Sequence, residues 1–218
     1  MRRAWGVFLL LLLSGCGRGG HGGSSTATAT PSVITNAFLF QHNASINNGV
    51  LTRWPTLPIT VDTGRLPNAE AEFNRWRDAT GGAVTFVFIG DAAGIKVRLG
   101  GEADPDTCAE TVVFFTAAGS ITRADITLSP ISGTPACVET MTHEAGHSIG
   151  FLGHTSDGGL MDPDGGNGQI TGQVADMIRT LYSNPPGTVV KASQVAKGSS
   201  TARGGLQSVR FVTPPRRP

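Results

Sequence analysis

The chain has 218 residues, a formal net charge of +1, and only 15% charged and 6% aromatic residues. A net charge this close to zero gives no electrostatic support for nucleic-acid binding. Without the N-terminal segment over 1–32 and the tail over 184–218, about 150 residues remain, which is enough for one domain with a real hydrophobic core.

The chain begins with a segment typical of export. Two arginines follow the first methionine, and the apolar run 4–13 is too short to span a bilayer. This pattern predicts a signal peptide over residues 1–15. The sequence LSGC that ends at Cys16 resembles a bacterial lipobox, which implies cleavage before Cys16 and attachment of diacylglycerol to its thiol. An ordinary signal peptide followed by an incidental cysteine is the alternative.

Residues 16–32 are rich in Gly, Ser, Thr and Ala, so they have little to bury and are predicted to form a flexible tether. Acyl chains on Cys16 would hold the protein to a membrane surface without spanning the membrane. The expected location is therefore the bacterial cell envelope, where the protein would be an outer-membrane or cell-surface lipoprotein. We expect it to be a monomer.

Residues 33–183 have the periodicities of one folded domain. Alternating apolar residues predict a strand near 57–61, and apolar residues three and four apart predict a helix over 66–80. Four more strands are predicted at Val84–Ile89, Ile95–Leu99, Thr111–Thr116 and Ala124–Leu128. A last amphipathic helix follows over 170–181, with Thr171 as its N-cap.

Cys108 and Cys137 are the two cysteines within this domain. An even pair in an exported chain predicts a disulfide, with two free thiols as the alternative. The bridge would close a loop of about 29 residues, which stabilises a fold by on the order of 3–4 kcal/mol in the chain-entropy model.

The stretch from His143 to His154 reads HEAGHSIGFLGH and carries the chemistry of the chain. His143 and His147 would lie about 6 Å apart along a helix axis, so both imidazoles can bind one metal ion. Glu144 is placed to act as a general base toward water rather than as a ligand. Gly150 can end the helix with a positive φ, after which the chain can bring in His154 as a third ligand.

A methionine, Met161, follows seven residues after the last histidine. The pattern H-E-x-x-H-x-x-G, a further His and a downstream Met resembles the metzincin clan of metallopeptidases. The sequences HTS from His154 and LMDP around Met161 resemble the matrixin family within that clan. The resemblance spans roughly residues 50–183 and is specific only around the metal ligands.

The resemblance implies an α+β, metzincin-like (zincin) fold. In that fold a twisted, mixed, five-stranded sheet packs with two long helices, and a small C-terminal subdomain carries the Met-turn and a final helix. The strand over 111–116 would be an exposed antiparallel edge that pairs with an extended peptide.

The function that the resemblance implies is a zinc-dependent endopeptidase acting on protein or peptide substrates. Its three histidines, His143, His147 and His154, would hold one zinc ion, and Glu144 would be the general base. Met161 would form a hydrophobic floor beneath the histidines. A single zinc is expected, because the structural zinc of the family needs additional histidines.

The chain departs from the family pattern in three respects. The third histidine usually lies ten residues after the first, but here the interval is eleven, as if Gly153 were inserted. Asp157 is therefore an alternative third ligand in place of His154. Asp162 stands where the family often has Tyr, so the wall of the substrate pocket is undefined. No propeptide with a zinc-blocking cysteine fits between Cys16 and the first strand, which leaves the latency mechanism open.

Calcium is a weaker metal hypothesis. Oxygen-bearing side chains cluster in two loops, at Asp104 and Asp106 and at Asp162, Asp164 and Asn167. Such oxygens suit Ca²⁺, but ordinary polar turns have the same composition and are the favoured interpretation.

The tail over 184–218 is rich in Pro, Gly, Ser and basic residues. This composition predicts a poorly ordered or loosely attached segment, in which residues 209–212 could form one short strand. Contact of its basic residues with an anionic envelope surface is the alternative.

Two other functional classes compete with the endopeptidase. One is a non-catalytic envelope lipoprotein that binds peptide or metal, and the other is a zinc hydrolase of non-peptide envelope amides. Glu144 beside three ligands argues against the first class, because a protein that only binds has no need of a base.

Overall fold

The computed structural model describes residues 34–100, 106–163, 166–191 and 205–215. The predicted signal peptide, the lipidation site at Cys16 and the tether lie outside the described residues, as do Asp104 and Asp164 of the calcium hypothesis. No helix in the described ranges is both long enough and apolar enough to cross a membrane.

Four α-helices and six strands form the described part of the chain. The helices are α1 (Asn36–His42), α2 (Ala69–Ala79), α3 (Thr140–Ser148) and α4 (Gly172–Ser183). The strands are β1 (Ile59–Asp62), β2 (Phe86–Phe88), β3 (Ile95–Leu99), β4 (Ala109–Thr116), β5 (Ile121–Leu128) and β6 (Leu206–Thr213). The protein is therefore a mixed α+β protein, as predicted.

All six strands belong to one mixed sheet, in the order β2-β1-β3-β5-β4-β6. Strands β2, β1, β3 and β5 run parallel to one another, whereas β4 is antiparallel to β5 and β6 is antiparallel to β4. The predicted count of five strands is corrected to six, because β6 comes from the tail. The prediction of a loosely attached tail is wrong for residues 206–213.

Strand β4 alternates between buried and half-buried residues along its whole length. Its inward residues include Thr111 and Phe115, which face the core beneath the sheet. The predicted exposed edge over 111–116 is not exposed, because β6 pairs with β4 from Ala109 to Thr116. The outer edge of the sheet is thus formed by the C-terminal segment of the chain.

Helices α2 and α3 pack against each other through Trp76, which is fully buried. The indole Nε1 of Trp76 donates a hydrogen bond to the carbonyl oxygen of Thr142, at 2.8 Å. A Cβ atom at Gly146 would lie 2.5 Å from the Trp76 ring and 2.7 Å from the sulfur of Met161. This close approach therefore requires glycine at position 146 of α3.

Cys108 and Cys137 form the predicted disulfide, with their Cα atoms 5.4 Å apart. Cys108 immediately precedes β4, and Cys137 ends the short 3-10 turn that leads into α3. The bridge therefore fixes the start of β4 beside the start of the helix that carries the histidines.

Helix α1 is an element that sequence periodicity did not predict. Thr35 caps its N-terminus, since the Thr35 hydroxyl accepts a hydrogen bond from the amide of Phe38 at 3.3 Å. The helix ends at His42, and Asn43 follows at the start of a 3-10 turn. Through Asn43, this segment contacts the turn that follows α3.

Candidate metal centre

The turn after α3 positions the third histidine. The helix ends at Ser148, and Gly150 adopts the positive φ that was predicted, 110°. The side-chain amide of Asn43 donates hydrogen bonds to the carbonyl oxygens of Gly150, at 2.8 Å, and Thr52, at 2.7 Å. These contacts hold the chain reversal in place, so the segment after Gly150 runs back alongside the helix.

Three imidazole rings converge at this place, one each from His143, His147 and His154. The Nε2 atom of His143 lies 3.1 Å from that of His147 and 3.3 Å from that of His154. The candidate ligand atoms of the three residues all lie within 4.8 Å of one another. His143 and His147 are buried, and His154 is half-buried.

The protonation of two rings follows from their backbone partners. The Nδ1 atom of His143 lies 2.7 Å from the carbonyl oxygen of Leu160, and that of His147 lies 2.7 Å from the carbonyl oxygen of Phe151. A carbonyl oxygen can only accept, so each Nδ1 carries the proton and each Nε2 presents a bare lone pair. The facing Nε2 atoms of His143 and His147 therefore cannot hydrogen-bond to each other, and a shared cation would relieve their repulsion.

The spacing of these nitrogens fits a metal ion. Zinc–nitrogen bonds of about 2.0–2.1 Å in tetrahedral geometry place two ligand nitrogens about 3.3–3.4 Å apart. Burial lowers the pKa of His143 to about 4 and also lowers the pKa values of His147 and His154. The neutral imidazole is the form that binds a metal, so the electrostatics and the geometry agree.

The structure brings His154, and not Asp157, together with the other two histidines. The carboxylate of Asp157 instead accepts hydrogen bonds from the Thr155 hydroxyl at 2.7 Å, the Thr171 hydroxyl at 2.8 Å and the Gly159 amide at 3.0 Å. Asp157 thus organises the loop that follows His154. It ties that loop to Thr171, the residue that caps α4.

The extra residue in the loop, Gly153, lies against His42. A Cβ atom at position 153 would come within 3.0 Å of the Nδ1 atom of His42. A larger residue would therefore have to push the His42 side chain aside. The eleven-residue interval between His143 and His154 is accommodated because the inserted residue is glycine.

Glu144 lies beside the histidines and has no solvent exposure. Its Oε2 accepts a hydrogen bond from the hydroxyl of Thr111 on β4, and its Oε1 accepts one from the hydroxyl of Thr213 on β6. Burial raises the pKa of Glu144 to about 7, although both hydrogen bonds act in the opposite direction. The carboxyl can therefore exchange a proton near neutral pH.

Sequence reasoning missed both threonines that contact Glu144. Thr111 lies at an inward position of a strand that was predicted, so the alternation of β4 could have indicated that its side chain faces the core. Thr213 lies 69 residues from Glu144 in sequence, in a tail with no local sign of a role. Only the pairing of β6 with β4 brings Thr213 to the site.

The aromatic ring of Phe211 covers the histidine triad. It stacks on the imidazole of His147 with the ring centroids 4.0 Å apart and the planes 7° from parallel. It also meets the His154 ring edge-on, at 6.2 Å between centroids. Phe211 is only 9% exposed, so β6 closes this side of the site against solvent.

Met161 is fully buried beneath α3. Its sulfur lies close to Gly146, the residue just before His147, as the contact distance at that glycine shows. The carbonyl oxygen of Met161 accepts a hydrogen bond from the amide of Thr155 at 2.9 Å. The methionine therefore supports both the helix and the loop that carries His154.

The triad is the only group of three or more metal-binding side chains found among the described residues. In the loop of the calcium hypothesis, the Asp162 carboxylate accepts a hydrogen bond from the Gly158 amide at 3.1 Å. The Asn167 side chain accepts one from the Gln169 amide at 2.9 Å. These contacts are those of polar turns.

A cavity of about 20 Å³ lies beside His143, and Thr213 and Pro214 form part of its wall. A cavity of this size holds about one water molecule. A larger hollow of about 550 Å³ has His154 and Gln173 among its lining residues. Space beside the site is thus restricted on the side where the C-terminal strand ends.

No protein-family model matches the chain, and no match was found among curated proteins. The residues of the site are thus the basis on which a function is assigned.

Proposed function

We propose that the protein is a zinc-dependent endopeptidase of metzincin-like type that hydrolyses peptide bonds in extended protein substrates. One observation carries this proposal. Three imidazole nitrogens converge, two of their separations being 3.1 Å and 3.3 Å, and the residue that follows His143 on the same helix is the buried Glu144. A protein that only stores or binds a metal does not need that glutamate.

The residues that would hold the metal are His143, His147 and His154. Three neutral imidazoles are a donor set typical of catalytic zinc, which keeps a further coordination position open. Bound there, zinc would polarise a substrate carbonyl and lower the pKa of a water molecule. The carbonyl oxygens of Leu160 and Phe151 fix the orientation of two of the rings.

Glu144 is the general base of the proposed reaction. The carboxylate would accept a proton from water and, as the acid, return it to the leaving amine. The hydroxyl of Thr111 holds one carboxylate oxygen and so fixes the direction of the other. The other oxygen, Oε1, which Thr213 holds in this structure, would be the proton acceptor.

The fold supports the metzincin-like part of the proposal. Strand β4 lies next to the four parallel strands and is antiparallel to its neighbour β5. Met161 lies beneath α3. If β6 were displaced, an antiparallel strand at this position could pair with an extended peptide through its backbone groups. The family resemblance implies this arrangement of sheet, helix and methionine.

The proposal includes export and anchoring at the cell envelope through Cys16. Its test is the mass of the protein recovered from membranes of an expressing bacterium. We expect the mass of a diacylglyceryl group on the parent chain and its loss from the Cys16→Ser variant. Recovery of both proteins in soluble form with the same mass shift would contradict the anchor.

The catalytic proposal is tested by metal analysis and a peptide-library digest. We expect one zinc per chain and hydrolysis that stops when a chelator removes the metal. Because β6 covers the site, the digest also uses protein from which residues 205–218 have been cut away. The Glu144→Gln variant should keep its zinc and lose about 10²–10⁴-fold in rate.

The matched control for this variant is Glu70→Gln, which makes the same chemical change on the exposed face of α2. We expect it to behave like the parent in both measurements. Hydrolysis by Glu144→Gln at the parent rate would remove Glu144 as the base. Zinc binding without any hydrolysis, by either the parent or the protein lacking residues 205–218, would favour the non-catalytic alternative.

A further inference from the structure

We propose that β6 is an occluding strand, which occupies the peptide-binding edge of β4 and keeps the site closed until the strand is released. The inference rests on the proposed function, because a closed site restrains activity only if the site is catalytic. An occluding strand of this kind would be a means of latency for the proposed enzyme.

The position of β6 is the position that an extended peptide would take. Every residue of β6 has a partner in β4, from the pair Ala109–Thr213 to the pair Thr116–Leu206, and the two strands are antiparallel. β6 is the last strand of the sheet, so its departure would leave β4 as the edge. A free edge of this kind binds an extended peptide by adding it as a strand.

The inward side chains of β6 close the metal centre. Phe211 stacks on His147, and Thr213 donates a hydrogen bond to Glu144. Glu144 and His147 both have 0% exposure in this arrangement. A base that is sealed from solvent meets neither a water molecule nor a peptide, so the site has to open before it can act.

Release of β6 would change Glu144 in a specific way. The carboxylate oxygen held by Thr111 stays held, because Thr111 belongs to β4. The oxygen held by Thr213 becomes free, because Thr213 leaves with β6. The occluding strand therefore blocks the one oxygen that the proposed reaction needs as its proton acceptor.

The contacts of β6 are those of a strand that can leave without dismantling the core. Only Phe211 contributes a buried side chain from β6 to the main hydrophobic cluster, and Val209 packs against it in part. Leu206 is 66% exposed. Arg210 pairs with Glu110, but the Arg210 side chain is 68% exposed, so this ion pair stabilises the strand by only about 0–1 kcal/mol.

The test uses the full chain with a site-specific protease sequence inserted between residues 192 and 204. The protein folds intact, is then cut, and its C-terminal fragment is removed by dilution and filtration. The first readout needs no catalysis: a fluorescent peptide with the sequence of residues 205–215 is added to cut and uncut protein. We expect saturable binding to the cut protein and at least tenfold weaker binding to the uncut protein.

Side-chain changes in the peptide test whether Phe211 is the anchor. A peptide with Phe211→Ala should bind the cut protein at least tenfold more weakly than the parent peptide. The matched control is Leu206→Ala, which shortens an exposed side chain at the far end of the strand. We expect its affinity to stay within about twofold of the parent peptide, since burial determines the energetic effect of an apolar truncation.

The second readout is hydrolysis of a protein substrate by the zinc-loaded forms. We expect the cut protein to be at least tenfold faster than the uncut protein, and the full-length Phe211→Ala variant to be faster than the parent. Equal rates for cut and uncut protein would overturn the inference and leave the proposed function standing. Peptide binding without hydrolysis would uphold β6 as the occupant of the edge and contradict the proposed function.

Two further outcomes would overturn the inference. One is the same affinity of the peptide for cut and uncut protein, or no binding to either. The other is unfolding of the cut protein when the fragment leaves, measured by circular dichroism, because β6 would then be part of the core. Retention of the native spectrum, together with peptide binding, supports release of the strand.

Discussion

At the residue scale, the position of one proton on each ring decides what the triad can do. His143 and His147 use Nδ1–H toward carbonyl oxygens, so their Nε2 lone pairs point at a common place. The motif spacing predicts which residues meet, because four residues make about one helical turn. It does not predict the ring orientations, since those depend on carbonyl oxygens of the following loop.

The choice between His154 and Asp157 as third ligand can be tested by metal stoichiometry. The His154→Ala variant should lose zinc at concentrations that saturate the parent, because the remaining two imidazoles make a much weaker site. The Asp157→Ala variant should keep one zinc per chain, because the Asp157 carboxylate is bound to Thr155, Gly159 and Thr171. The opposite pattern in dialysed, metal-analysed protein would exchange the two roles.

Gly146 offers a test of packing beneath the histidines. In Gly146→Ala the added Cβ would lie 2.5 Å from the Trp76 ring and 2.7 Å from the Met161 sulfur. We expect the free energy of unfolding to fall by about 1–3 kcal/mol, which is typical of overpacking, despite the better helix propensity of alanine. The measurement is urea unfolding followed by circular dichroism.

The control for this substitution is Gly172→Ala, at the first residue of α4. Nothing lies within 4 Å of a Cβ atom at that position. The same substitution there should leave stability unchanged or raise it by a few tenths of a kcal/mol, since alanine restricts the unfolded chain. A larger loss of stability at position 172 than at 146 would mean that contact with Trp76 and Met161 is not the cause.

At the element scale, strands with a core face were the easiest to predict. β3 has the predicted bounds, Ile95–Leu99, because its apolar residues alternate with polar ones and Ile95 and Val97 are buried, although Leu99 at its end is exposed. The helix predicted over 66–80 is shorter, since Asn68 has a positive φ, 61°, and the helix begins at Ala69. For β6 only a short strand over 209–212 was offered as a possibility, because alternate residues of β6 are exposed and its partner β4 lies far away in sequence.

Asn43 links α1 to the turn after α3, and its substitution tests that link. Besides its two donated bonds, its Oδ1 accepts a hydrogen bond from the Thr52 amide at 2.8 Å. Asn43→Ala would remove the partner of three buried backbone groups: the amide and the carbonyl of Thr52 and the carbonyl of Gly150. This loss should lower the free energy of unfolding by about 2–4 kcal/mol. Urea unfolding measures the loss.

The control is Gln41→Ala, an exposed residue of the same helix. We expect its effect on stability to stay within about 0.5 kcal/mol, as is usual for surface positions. Because Gly150 determines the path of the chain toward His154, Asn43→Ala should also weaken zinc binding. Unchanged zinc affinity in that variant would show that the turn holds its shape without Asn43.

At the scale of the whole molecule, the site exists because distant parts of the chain meet. Helix α3 supplies the local motif, whereas the loop after it supplies His154 and the C-terminal strand supplies Phe211 and Thr213. A sequence motif can predict the first two, since they lie within one continuous stretch. It cannot predict that Phe211 and Thr213 cover the site, because the register between β4 and β6 determines which residues of β6 reach it.

Strand β6 helps to bury Glu144, and this burial predicts an unusual dependence of stability on pH in the metal-free protein. The folded-state pKa of Glu144, about 7, lies above its ordinary value of 4.5, and burial is the main cause. Below pH 4.5 the carboxyl is protonated in both states and its burial has no ionisation cost. As pH rises through 7 the buried group ionises and stability is lost, by about 3 kcal/mol for a shift of this size.

The variant that isolates this effect is Glu144→Gln, in which the amide stays neutral at every pH. In the presence of chelator its free energy of unfolding should match the parent near pH 4.5 and exceed it by about 3 kcal/mol at pH 8, measured by urea unfolding at both values. The histidines do not blur the comparison, because both proteins carry them. A difference that is constant with pH would mean that burial does not shift the ionisation of Glu144. Release of β6 should remove the difference, because the carboxyl then regains contact with solvent.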